Sequence, residues 1–435
     1  MARSVSAAGT ALLFLVICGF TGVTAASAAG GRFTAGEAVI FALQHNGDLK
    51  ALREERGLRE AATTRASLYP NPVLEVEGAT GKLSGSPSEN SFSVMMSQEL
   101  LTMGKRGKRL LVAEREAQAF DRQLENSRRL LAEQVSVTFY ELLFAQDKLD
   151  LARRSLELNR QLLEVTRERL ASGDIPELEA NLARVELARG EGRQAEAERE
   201  LYPARAKLLS LMGLFPDASP EFAGGSEEAL PEGSLERFKE EALARRPDLK
   251  AVAAERGKAE AELSLARAEQ VPNVTLGIGY QRDNSSTDVA GLEGFDRANL
   301  IGVRLSVPIP LFDRNQAGIG EARARKGSAE SRYLFGRQAV QREVEAAYAS
   351  LQSADRALSI YREGIIRQLE ENLQLVHEAY RLGEVGILAV IEEHKKFFEV
   401  HLGYLSDLYN RRVALARLKS AVGGDVTVQA TGGEK

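Results

Sequence analysis

The chain has 435 residues and a formal net charge of −5, with no tryptophan and only 6% aromatic residues. Acidic and basic residues are interspersed without a basic patch, which argues against a nucleic-acid partner. The prevalence of Ala, Leu, Glu and Arg is that of long helices or coiled coils, not of several compact globular domains.

Residues 1–28 read as an export signal. Arg3 supplies the positive start, Ala11 to Phe20 is an apolar run too short to span a bilayer, and Ala26-Ser27-Ala28 fits the small-x-small cleavage pattern. The only cysteine, Cys18, falls inside this segment. It follows the bulky Ile17, whereas a lipid-attachment cysteine follows a small residue, so acylation is the lesser alternative. With Cys18 removed the exported chain holds no disulfide, and its stability must come from packing and oligomerisation. No later run of ~18 apolar residues offers a transmembrane helix.

The rest of the chain repeats one plan. Asp48-Leu49-Lys50-Ala51 recurs as Asp248-Leu249-Lys250-Ala251, and Glu55-Arg56-Gly57 as Glu255-Arg256-Gly257. Each copy then runs through an Ala-rich helix to Tyr69-Pro70-Asn71-Pro72 or to Val271-Pro272-Asn273. A repeat this long is a duplicated domain, not a solenoid unit. The first copy, 29–214, is expected to hold strands at about 72–79 and 91–101 and long helices at about 104–170 and 177–212. A connector rich in Pro, Gly and acid follows at 215–234. The second copy, 235–423, is expected to hold strands at about 272–282 and 299–309 and helices at about 315–382 and 387–421. The tail 424–435 reads as disordered.

Val135, Thr138, Leu142, Ala145, Leu149, Ala152, Leu156, Asn159, Leu163, Thr166 and Leu170 step by threes and fours, the seam of a packed rod. At 1.5 Å per residue each such helix spans ~100 Å. In the strands, Leu74 and Val76, Phe92 and Val94, Leu276, Ile278 and Tyr280, and Ile301, Val303 and Leu305 fall on one face. Small or charged residues, Arg304 among them, fall on the other. A strand with lipid on one side and water on the other requires this alternation; two soluble hairpins would show it too. In lipid, four strands cannot stand with open edges. Three copies sharing a barrel give twelve strands, so the fold expected is mainly α with a membrane β-barrel: a homotrimer whose long periplasmic helices form a matching tube.

This plan resembles the outer membrane factor (TolC-like) family of efflux ducts. The carriers are the duplicated order and the turns Arg169-Leu170-Ala171-Ser172-Gly173 and Tyr380-Arg381-Leu382-Gly383. Asn71-Pro72-Val73-Leu74-Glu75-Val76-Glu77 and Pro308-Ile309-Pro310-Leu311-Phe312-Asp313-Arg314-Asn315-Gln316 are similar to the heavy-metal efflux branch. The resemblance implies an outer-membrane homotrimer in a Gram-negative-type bacterium, docked on a periplasmic adaptor and an inner-membrane RND-type pump. The duct itself would need no cofactor and perform no catalysis. Gly173 and Gly383 permit the left-handed backbone of tight helix reversals. The resemblance makes these turns the periplasmic tips, with Ile175, Val385 and Ile387 as candidate adaptor contacts. It also places Glu392 in an acidic ring at the constriction, with Glu179, Asp174 and Glu384 as further acidic candidates.

His45, His377, His394 and His401 show no ligand spacing, and the last two lie ~10 Å apart along a helix. They read as structural or solvated, leaving no metal site. No phosphate loop, nucleophile elbow or zinc motif appears. The alternatives to metal efflux are the same duct serving drugs or type I protein secretion, and a periplasmic coiled-coil scaffold.

Overall fold

The structure, a computed structural model, describes residues 32–86, 88–224, 230–289, 292–362 and 364–424. The expected export signal lies outside these residues, as does the expected tail apart from Gly424. The first copy runs β1 (Arg32–Phe33), α1 (Ala35–His45), α2 (Gly47–Glu54), α3 (Arg56–Ser67), β2 (Val73–Thr80), β3 (Asn90–Leu100), α4 (Lys105–Ala171) and α5 (Glu177–Met212). Thr34 starts α1 with a reciprocal capping box to Glu37. Pro70 and Pro72 keep the chain extended between α3 and β2.

After β4 (Glu221–Phe222) in the connector, the second copy runs α6 (Leu235–Arg245), α7 (Pro247–Ala268), β5 (Val274–Val289), β6 (Leu292–Ser306), α8 (Gln316–Arg362), α9 (Ile365–Arg381) and α10 (Ile387–Val422). Two sequence expectations need correction here. The helix expected to be continuous over 315–382 is interrupted at Gly364, whose φ of +100° starts α9 afresh. The hairpin strands expected at about 272–282 and 299–309 are instead one long ribbon. Pairing continues through the polar stretch to Val289↔Leu292, and β6 ends at Ser306, ahead of Pro308. Within the connector, β4 pairs parallel to β1, a short bridge with no sequence signal.

The 67-residue α4 is the spine of the protein. From Val135 to Thr166 its stepped seam is buried, including the polar members Thr138, Asn159 and Thr166. α5 packs back along the distal part of α4, while α3 and α7 flank the part nearer the strands. Where α5 ends, Val135, Phe139 and Leu142 of α4 meet Leu208, Leu209 and Met212 of α5 and Ala38 and Ala42 of α1. The second copy builds the matching cluster from Phe238, Val340, Val344, Leu351, Leu415 and Leu418.

The duplication is visible in contacts. Asn46 Nδ2 donates to the carbonyl of Leu211 near the end of α5. Arg246, at the equivalent position, donates to the carbonyl of Ala421 near the end of α10. Gly213 and Gly423 cap these two return helices at φ +72° and +96°. A Cβ at Gly213 would lie 2.5 Å from the His45 carbonyl oxygen.

All four long strands form one antiparallel sheet in the order β2-β3-β5-β6, so β2 and β6 are its edges. Among the described residues no helix is long and apolar enough to cross a membrane.

Gly213→Ala combines left-handed strain of ~1–2 kcal/mol with a backbone collision. Gly364→Ala carries the strain without any neighbour within 4 Å. The larger loss of thermal unfolding midpoint is expected for Gly213→Ala; equal losses in the two variants would contradict this packing.

Candidate functional site

Two regions carry function-bearing geometry: the sheet and the distal helix turns. In the sheet, register lines up Leu74, Met96, Ile278 and Val303 in one cross-strand row and Val76, Val94, Tyr280 and Ile301 in the next. Leu276 and Leu305 pair in the row below, and Phe92 lies opposite Gly78 above. Side chains alternate between faces, so these residues share one face. That face is bare, with Ile301 81% and Val303 73% exposed. Ile309, Leu311 and Phe312, just beyond β6, are likewise uncovered. A contiguous apolar surface of this size marks a membrane or protein contact.

The opposite face is mostly small or polar, with Val73, Met95 and Leu300 as its apolar members. It carries Glu75 and Glu77, Ser93 and Ser97, Gly277, Gly279 and Gln281, and Gly302 and Arg304. Arg304 reaches Glu75 at 3.8 Å from the other edge of the sheet. Both side chains are more than half exposed, so the pair adds little stability in water.

At the distal end, the two helix reversals are built alike. Gly173 and Gly383 adopt φ of +77° and +80°. The next amides, Asp174 N–H and Glu384 N–H, donate back to the carbonyls of Arg169 and Ala379. This left-handed glycine cap satisfies carbonyls that would otherwise be orphaned. Arg169 then joins the two turns: its guanidinium donates to the Tyr380 carbonyl at 2.8 Å and lies over the Tyr380 ring. The Tyr380 hydroxyl, 3.2 Å from Thr166 Oγ1, donates to Glu179. Burial, the largest influence, raises its pKa, so it remains a protonated donor.

The sequence-chosen residues do not all sit where expected. Ile387 is 2% exposed and Ile175 is buried, and Val385 packs against the same core as Ile387. That core joins Leu162 and Leu163, Ala183, Tyr380, Val390 and Ile391, so these side chains hold the tip together and offer a partner little surface. The large apolar side chains left uncovered at the turns are Leu178, Leu382 and Leu388, which sequence reasoning passed over. Asp174 and Glu384 are exposed, and Glu179 is engaged by Tyr380. Glu392 is exposed and accepts from Lys395 at 2.9 Å, a hydrogen bond that lowers its carboxyl pKa.

The histidine reading is revised in one respect. His377 of α9 and His394 of α10, separated by the turn, face each other through their Nε2 atoms with rings stacked 4.8 Å apart. Asn159 Nδ2 donates to the Glu186 carbonyl, which leaves its Oδ1 to accept from His394 Nδ1–H at 3.0 Å. Neutral His394 therefore presents its Nε2 lone pair to the N–H of His377. Burial and the neighbouring His377 and Arg193 push the His394 pKa down to about 3, and burial lowers that of His377. The sequence signal existed: Ile387, Val390, His394, Phe397 and His401 step by threes and fours, which puts His394 on a buried stripe. No group of three or more His, Cys, Asp or Glu side chains able to hold a metal ion occurs among the described residues.

Comparison with known proteins matches two segments, residues 41–214 and 239–424, to one family model, outer membrane efflux protein. The cobalt-zinc-cadmium resistance protein CzcC of Cupriavidus metallidurans is 26% identical over 384 residues, 87% of each chain. The probable outer membrane lipoprotein SilC of Salmonella typhimurium is 26% identical over 88% of this chain and 84% of its own. A crystal structure of CusC superposes with a TM-score of 0.73 at 23% identity, covering 90% of this chain and 92% of that one.

The histidine pair makes the distal helices acid-sensitive. Below pH 6.5 the unfolded chain takes up a proton that folded His394 refuses, so stability falls as pH drops toward 3, by up to ~1.4 kcal/mol per pH unit. Thermal melts followed by helical circular dichroism should move to lower temperature from pH 7.5 to pH 4.5. The move should be smaller in His394→Leu; an unchanged pH response in that variant would contradict the assignment.

Proposed function

Because the chain belongs to the outer membrane efflux protein family, we propose that it is the outer-membrane duct of a metal-cation export system, taking substrate at its helical tips and releasing it through a membrane barrel. The observation that carries this reading is the sheet: a bare apolar face on one side, mostly small or charged residues on the other, and two unpaired edges at the head of a helix ~100 Å long. In hydrocarbon each unpaired backbone group costs several kcal/mol, so an isolated four-stranded sheet is not tolerated there. Three copies of the four-stranded sheet give twelve strands, within the range of outer-membrane barrels. The polar face lines the lumen and the apolar face meets lipid.

The helices continue the lumen through the periplasm. Their turns are where an adaptor docks, and an inner-membrane RND-type pump supplies the energy. Leu178, Leu382 and Leu388 offer an adaptor its apolar contacts, since their burial by a helical partner is favourable. Three copies of Glu392 form an acidic ring at the constriction, moderated by Lys395. The metal assignment is supported by the resistance protein CzcC, matched along nearly the whole chain. No binding site for the cargo is assigned; a duct that held its substrate tightly would not pass it on.

Deletion of the gene should lower tolerance to at least one of zinc, cobalt, cadmium, copper and silver. Unchanged metal tolerance together with new drug sensitivity would overturn the metal assignment while leaving the duct in place. In planar bilayers, Glu392→Gln should reduce cation selectivity and alter conductance. Conductance and selectivity equal to those of the parent would remove Glu392 from the gate.

A further inference from the structure

The unpaired edges of the sheet carry enough information to fix how neighbouring copies join. The two hairpins are repeats of each other: Pro70-Asn71 and Pro272-Asn273 are equivalent, and reading on without a gap makes Val76 equivalent to Ile278 and Glu77 to Gly279. Hairpin register extends the equivalence to the second strands. Val76 pairs with Val94, and Ile278 with Val303, so Val94 matches Val303, and Met95 matches Arg304.

Inside one chain the repeats meet through β3 and β5, where Met95 lies opposite Gly279. A closed ring has a second junction of the same kind, β6 of one copy against β2 of the next. Replacing each residue by its equivalent turns the Met95↔Gly279 pair into Arg304 of one copy against Glu77 of its neighbour. We propose that the seam between copies has this register, with Arg304 directly opposite Glu77 of the adjoining copy and diagonal to that copy's Glu75. The inference rests on the shared-barrel reading above and adds the residue pairing to it.

Three observations support it independently of the equivalence. The charges are opposite, and directly opposed unlike charges stabilise a strand pair. Both residues lie on the polar face, so Leu305 falls opposite Val76 and the apolar face runs unbroken across the seam. A slip by one residue would send Arg304 to the apolar face. Within a single chain Arg304 already reaches across two intervening strands toward Glu75, over Gly277 and Gly279, with Met95 the large side chain on that face between them. Arg304 thus takes an acidic partner of the β2 edge when no neighbour is present.

The test uses the full chain, in membranes and then in detergent. Glu77→Cys with Arg304→Cys should, on oxidation, give a covalent ladder ending at the trimer on non-reducing denaturing gels, because directly opposed strand residues lie within disulfide reach. Each single variant serves as control and should give none. Glu75→Cys with Arg304→Cys should give no ladder. A ladder from that pair, or from neither pair while the native trimer persists, would overturn the register and leave the shared barrel standing. A parent protein that is monomeric on native gels would overturn both. Charge reversal gives a second reading: Glu77→Arg should lower the temperature at which the trimer dissociates, and adding Arg304→Glu should restore it. Failure of the second change to restore the first would count against the pairing.

Discussion

The backbone amides and carbonyls along the outer sides of β2 and β6 set the terms for everything else. In water they would be satisfied by solvent; in hydrocarbon they have no partner except another strand. The sheet's apolar face, with Ile301, Val303 and Leu305 uncovered, is stable only in a medium that welcomes it, and that same medium makes open edges untenable. One surface demands lipid and the other demands pairing. The proposed ring of copies would meet both demands at once, with the more polar face turned to water.

The helices answer a different constraint, that of holding a narrow rod straight over ~100 Å. No single core can do this, and the structure uses a series of them. Val135 to Leu142 anchor the middle, Leu151 with Leu369, Leu373 and Phe397 the next stretch, and Leu162 and Leu163 with Ile387 to Ile391 the tip. Polar residues interrupt this series where two helix pairs must be tied in register. Asn159, His394 and His377 form one tie, and Arg169, Tyr380, Thr166 and Glu179 form the next. Both are buried or half-buried hydrogen-bond chains, whose satisfaction depends on a single relative placement of the helices.

Much of the fold was legible because its signals are periodic. The step of two in Leu276, Ile278 and Tyr280 and the threes and fours from Val135 to Thr166 each name a face without reference to the rest of the chain. Breaks in periodicity were harder to see. In the second copy Leu358, Tyr361 and Ile365 keep a step of threes and fours as though the helix ran on, and Gly364 looks like an ordinary interior glycine until its backbone is seen to be left-handed. In the outer part of the second hairpin, Asp283 to Val289 pair with Leu292 to Ala298 through the backbone, while the sequence there is polar and shows no alternation. Ile175 and Ile387 followed the opposite course. Their place beside a tight turn implied exposure, yet both are buried, Ile387 against Leu162, Leu163 and Ala183 of the facing hairpin. The His377–His394 contact depends on how two helices cross after a turn, which sequence spacing alone does not encode.

The central claim is that β2 and β6 are paired in the working protein, and amide hydrogen exchange tests it directly. In protein extracted from the outer membrane into detergent, amides of both edge strands should exchange as slowly as those of β3 and β5. Exchange of β2 and β6 within seconds, alongside protected inner strands, would show the edges open and would contradict the account.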